Sequence, residues 1–187
     1  KTHKYYVYAI DTAGGANPLL GGSPKSVTCT IYKATFVGKS PATAITMKSG
    51  ETKVAYVEYK NEGMTWEKTK TYLGTTQPRD RASKFYEAGN WKVPNRASDV
   101  DGLTTRSYTG RFTFILRAPA VTAQTTFTEY FGLVQEGVTW FANQGGPADN
   151  VVSFTITVTP ADNPPPVTPP PPGGTAGSST TVKGYIY

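Results

Sequence analysis

The sequence predicts an all-β fold, an antiparallel two-sheet sandwich flanked by partial β-segments. Three observations predict it. The composition suits strands and turns, with Gly 19, Pro 15 and Tyr 12 among 187 residues, abundant Thr, and only 17% charged residues. No long stretch carries the apolar periodicity of an amphipathic helix. Several segments instead alternate apolar and polar residues with the period of a strand that has one face covered.

The elements follow in order. Lys4 to Ile10 places Tyr5, Val7 and Ala9 on one face and Tyr6, Tyr8 and Ile10 on the other, as in a strand covered on both sides. Asp11 to Gly15 ends it, and Ser26 to Ile31 resumes as a second strand. A hairpin of this size buries too little surface to be stable alone, so its partner strands are expected from outside it. Cys29 is the only cysteine and can form no intramolecular disulfide; it alternates with Val27 and Ile31, as a small buried apolar residue does. The chain opens on Lys1, already close to a strand, which leads us to expect a piece of a larger protein.

From Tyr32 onward the strand signals are regular. Val54, Tyr56 and Glu58 alternate with Ala55, Val57 and Tyr59 up to the turn residues Asn61-Glu62-Gly63. Phe112, Phe114 and Leu116 face one way while Arg111, Thr113 and Arg117 face the other. Phe127, Phe131 and Leu133, then Val152, Phe154, Ile156 and Val158, repeat the pattern. Strands of this kind with turns between them make a two-sheet sandwich. Trp66, Trp140, Phe112, Phe114, Phe131 and Phe154 are assigned to its core, because large aromatics dominate such interiors. Between Thr75 and Thr105 the alternation lapses at Pro78, Pro94, Asn95 and Gly102, and a long excursion on a rigid scaffold is where binding usually resides. Asn163 to Ser179 reads as a linker, stiff in its proline half and flexible in its glycine and serine half. Val182 to Tyr187 reads as a strand again.

Two resemblances sharpen this organisation. Tyr5-x-Val7-x-Ala9-x-Asp11-x-Ala13-Gly14 resembles the penultimate strand and following loop of a fibronectin type III domain, with Val27 to Ile31 in the place of its last strand. Further on come Gly50-Glu51-Thr52, Tyr59-Lys60-Asn61-Glu62-Gly63-Met64-Thr65-Trp66, Tyr72-Leu73-Gly74, Trp91, Arg96, Gly110 to Phe114, Arg117-Ala118-Pro119 and Leu133 to Phe141. In that order they resemble the NBR1-type Ig-like domain. Ala142 stands where that family usually has Gly, and Asp99 to Arg106 is longer than the usual link. The resemblance implies an Ig-like sandwich without enzymatic activity, often one module in a string attached to secreted bacterial proteins. The expected division is therefore 1–31 as the end of a fibronectin type III-like domain, 32–161 as the Ig-like sandwich, 162–180 as linker and 181–187 as the first strand of a further β-domain.

Chemistry-bearing clusters are sparse. The formal charge is +6, but Lys and Arg are scattered, which is the pattern of a solvated basic surface and not of a nucleic-acid partner. No apolar run reaches membrane-spanning length. His3 is the only histidine and lies in the N-terminal hairpin, so no Ser-His-Asp arrangement can form in the main domain; with Cys29 it would lack an oxyanion hole. Nothing in the sequence positions Glu129 and Glu136 as a glycosidase pair. Asp99-Val100-Asp101-Gly102 opens like a calcium loop but lacks the further ligands, and reads as a turn. No catalytic residue, metal or cofactor is expected.

The one candidate binding site is Trp91 with Lys92 and Arg96, an aromatic and two cations inside the excursion. The expected function is a non-catalytic interaction or spacer module of a larger multidomain secreted or cell-surface bacterial protein, located outside the cell. Its expected partners are other protein domains or subunits and surface polysaccharide. Two alternatives stand beside it: a subunit of an extracellular fibre assembled by strand exchange, and a carbohydrate-binding accessory module of a secreted hydrolase.

Overall fold

Alternation in the sequence becomes alternating burial in the computed structural model, which describes residues 2–28 and 32–162. The strands are β1 (Thr2–Tyr5), β2 (Lys25–Thr28), β3 (Ala34–Ser40), β4 (Ile45–Lys48), β5 (Thr52–Asn61), β6 (Thr71–Thr76), β7 (Arg96–Asp99), β8 (Thr109–Arg117), β9 (Thr125–Gln135), β10 (Thr139–Trp140) and β11 (Val152–Thr159); one 3-10 turn spans Phe141–Gln144. The fold is all-β, and two sheets form the sandwich. The smaller runs β3-β5-β8 and the larger β4-β11-β9-β6-β7, with β10 added alongside β9. All pairs are antiparallel except β4 with β11, which run parallel with Ile45 opposite Ile156. The domain lying between these two strands supplies the long crossover that a parallel pair requires.

The core lies between the two sheets. Ala55, Val57 and Tyr59 of β5 and Phe112, Phe114 and Leu116 of β8 meet Phe131 and Leu133 of β9 and the apolar side of β11, none more than 3% exposed. Phe114 is the aromatic centre, its ring 5.2 Å from Phe131 and 5.9 Å from Phe154 in tilted and edge-on contacts that suit the ring quadrupoles. Trp66 is fully buried against Phe112 and Phe141. The β5 turn is closed by Asn61, whose Oδ1 accepts from Gly63 N–H while Nδ2 donates to the carbonyls of Met64 and Thr104. These bonds satisfy a polar side chain that is itself completely buried.

Trp140 departs from the core assignment. It pairs with Val134 of β9, and since Leu133 points into the core, Val134 and Trp140 lie on the outer face of the large sheet. Trp140 is only partly buried there. The excursion departs in the opposite sense, because Phe85 and Trp91 from its irregular part join the core at 0% and 3% exposure.

The N-terminal hairpin is shorter than its alternation suggests. β1 and β2 pair only from Thr2 opposite Thr28 to Tyr5 opposite Lys25, after which a single bridge joins Tyr8 to Leu19. Pro24 has no N–H to offer the ladder, and Ser23 Oγ instead accepts from Val7 N–H, so regular pairing lapses. Tyr6, Val7, Tyr8 and Ile10, expected to be covered on both faces, are each more than half exposed. Cys29 and Ile31, the linker from Asn163 to Ser179 and the strand Val182 to Tyr187 lie outside the described residues.

Candidate functional site

β8 is the outer strand of the small sheet, so its outward backbone groups need partners that β5 cannot supply. The excursion supplies them one after another. Asp101 N–H donates to Arg111 O at 2.8 Å, and the Asp101 carboxylate accepts from Thr113 N–H and Thr113 Oγ1 at 3.1 and 2.6 Å. Asn90 Oδ1 accepts from Ile115 N–H at 2.7 Å, Trp91 Nε1 donates to Ile115 O at 2.6 Å, and Phe85 O accepts from Arg117 N–H at 3.0 Å. Side chains and main chain together thus replace a missing strand along the β8 edge. Arg117 also pairs with Glu87, fixing the middle of the excursion to the strand's end.

This accounts for most of the residues the sequence singled out. Trp91, expected as an exposed contact, is corrected: its indole packs edge-on against Phe114 and Phe131 with centroids 5.9 and 6.0 Å away, and its N–H caps β8. Phe112, Phe114, Phe131 and Phe154 are buried at 1% exposure or less. Asp99 accepts from Thr69 N–H at 2.9 Å in the turn before β6 while Asp101 holds β8, so the two carboxylates serve different segments. No group of three or more potential metal ligands occurs among the described residues. His3 lies opposite Val27 in the hairpin.

Glu129 and Glu136 are separated by the large sheet. Glu129 faces inward beside Phe131, 4% exposed, with Arg81 Nη2 at 2.8 Å and Ser83 Oγ donating to it at 2.9 Å. Glu136 is bound to Arg96 at 2.7 Å on the outer face. No helix of the described residues is long and apolar enough to cross a membrane.

The outer face of the large sheet carries what sequence reasoning missed. Gly74 of β6 and Gly132 of β9 are register partners, and the Trp140 ring rests on this pair. A Cβ on Gly74 would lie 2.7 Å from Trp140 Cη2. The guanidinium groups of Arg79 and Arg96 sit 5.1 and 5.5 Å from the Trp140 ring centre, close enough for cation–π attraction. Arg79 is held by Asp149 and Asn143, and Arg96 by Glu136 and Asp80. The available signal was glycine inside two strand patterns, which marks a close approach of another group. Gly74→Ala is accordingly expected to cost about 1–3 kcal/mol by overpacking, measured by urea denaturation.

Lys92 and Arg96, the other two members of the expected site, are brought together. With Tyr72, Val93, Asn95 and Glu136 they line a cleft of about 280 Å³ beside the Trp140 stack. A second cleft of about 320 Å³ shares Tyr72 and Lys92 and extends over Lys68, Asn90, Ser98 and Asp99. Burial, and then the nearby carboxylates of Asp99 and Glu136, push the Tyr72 phenol pKa up. No protein-family model matches this chain, and no curated protein matches its sequence.

Proposed function

We propose that this chain is a non-catalytic interaction or spacer module of a larger multidomain protein that is secreted or displayed on a bacterial surface. The observation that carries this reading is the use made of the reactive side chains. Glu129, Glu136, Asp101, Asp149 and Trp91 are each bonded into the scaffold, where they tie loops to sheets. A carboxylate held by a guanidinium is poorly placed to act as an acid or base, and a rigid sandwich with one edge covered is a sound spacer. The resemblances to NBR1-type Ig-like and fibronectin type III-like modules agree with it, as does the proline-rich stretch from Asn163. The place of action is outside the cell.

The fibre reading rests on a different observation. Tyr5, Tyr6, Val7, Tyr8, Ile10, Leu19 and Leu20 are all 45% exposed or more, a concentration of apolar surface on the N-terminal segment that a neighbouring strand would cover. Light scattering behind size-exclusion chromatography, run across a wide concentration range, distinguishes the two. A mass that stays at 20.1 kDa supports the spacer, and a mass that grows with concentration supports strand exchange between copies.

A further inference from the structure

We infer that the paired clefts beside β7, where the large sheet meets the covered edge of β8, bind a uronate-bearing polysaccharide through Lys92, Lys68, Asn90, Ser98 and Tyr72. The inference rests on the module reading and names the ligand class that reading leaves open. Its first support is the imbalance of hydrogen-bonding groups. Both carboxylate oxygens of Asp101 are occupied by Thr113, and one of Asp99 by Thr69 N–H. The side-chain carbonyl of Asn90 is occupied by Ile115, which leaves its amide hydrogens. Ser98 Oγ is buried with no partner among the described residues. Neither Lys68 nor Lys92 is paired with a carboxylate among those residues. Three of the four carboxylate oxygens of Asp99 and Asp101 are thus taken by the scaffold, while the Lys68 and Lys92 ammonium groups and the Asn90 amide hydrogens are not, so the free groups of the cleft are mostly donors and the complementary ligand is rich in acceptors.

The second support is the division of surface between the clefts. The one lined by Val93, the Tyr72 ring and the stem of Lys92 is largely apolar, and its neighbour is polar. A pyranose presents the same pair of surfaces, an apolar C–H face and a hydroxylated edge. A ring carboxylate then meets the two ammonium groups, and its hydroxyl acceptors meet Ser98, Asn90 and Tyr72. The volume of about 320 Å³ falls in the range of about 300–1,000 Å³ typical of small-ligand sites.

An acidic peptide is the competing ligand, and the backbone argues against it. Extended peptides gain affinity by adding to a free strand edge. Where β7 begins, the chain is turned back on itself, and the outward backbone groups of Arg96 are taken, with Lys92 N–H donating to Arg96 O and Arg96 N–H to Val93 O.

The test is isothermal titration of the full 187-residue chain with polygalacturonate, its methyl-esterified form and poly-glutamate. The expected result is binding of polygalacturonate, weakened about tenfold or more by esterification and by Lys68→Gln with Lys92→Gln, since each change removes charge-assisted hydrogen bonds to the ligand. Lys53→Gln with Lys60→Gln removes the same charge from the other sheet and should leave affinity within about twofold, as exposed charges contribute little individually. No binding of polygalacturonate, equal binding of the ester or of poly-glutamate, or equal loss in the control pair would overturn the inference. Size-exclusion analysis of the polymer after incubation separates the two levels. An unchanged chain length with no binding removes only the ligand, whereas a shortened polymer removes the module reading itself.

Discussion

Trp91→Ala is expected to destabilise the sandwich by about 3–5 kcal/mol, the range for losing a large aromatic from a packed core. Two losses combine at this position. The indole leaves a void beside Phe114, Phe131 and Tyr86, and the Ile115 carbonyl on the β8 edge loses its donor. Trp91→Phe separates them by keeping most of the ring while removing the N–H, and should cost about 1–2 kcal/mol. Guanidinium denaturation measures both. An exposed binding residue would change stability by less than about 0.5 kcal/mol on truncation.

The second large effect is expected at Glu129. Glu129→Gln removes the charge that compensates Arg81 at the sandwich interior, and should cost about 3 kcal/mol, the lower end of the range for breaking a buried pair because Arg81 retains 20% side-chain exposure. The double variant Arg81→Met with Glu129→Leu should recover most of that loss, since removing both charges strands neither. Equal loss in the single and double variants would show that the pair contributes only through packing.

Most of the sandwich was legible in the sequence because each strand carries its own period-two signal. Phe112, Phe114 and Leu116 fall on one face of β8 for the same reason that Arg111, Thr113 and Arg117 fall on the other. What was not legible depended on partners distant in the chain. Trp91 sits in an irregular segment, and local pattern alone cannot distinguish an aromatic folded inward over a strand edge from one presented to solvent. Trp140 has the composition of a core residue, and only the register of β10 on β9 places it outside. The hairpin beginning at Thr2 reads as longer than it is because the pattern of Tyr5 to Ile10 does not register that Pro24 faces it. Of the expected site, Lys92 and Arg96 meet in one cleft, while Arg79, Gly74, Gly132 and Asp149 reach the neighbouring Trp140 stack from four other places in the sequence.

The excursion between Thr75 and Thr105 serves as the missing neighbour of β8, with its polar residues committed to that edge. Native-state hydrogen exchange at the Thr113, Ile115 and Arg117 amides tests this most directly, because each has its partner only in Asp101, Asn90 or Phe85. All three are expected to be protected as strongly as the β8 amides that bond to β5, and Asn90→Ala is expected to release Ile115 selectively. Exchange of all three at the rate of a solvent-exposed strand edge would contradict it.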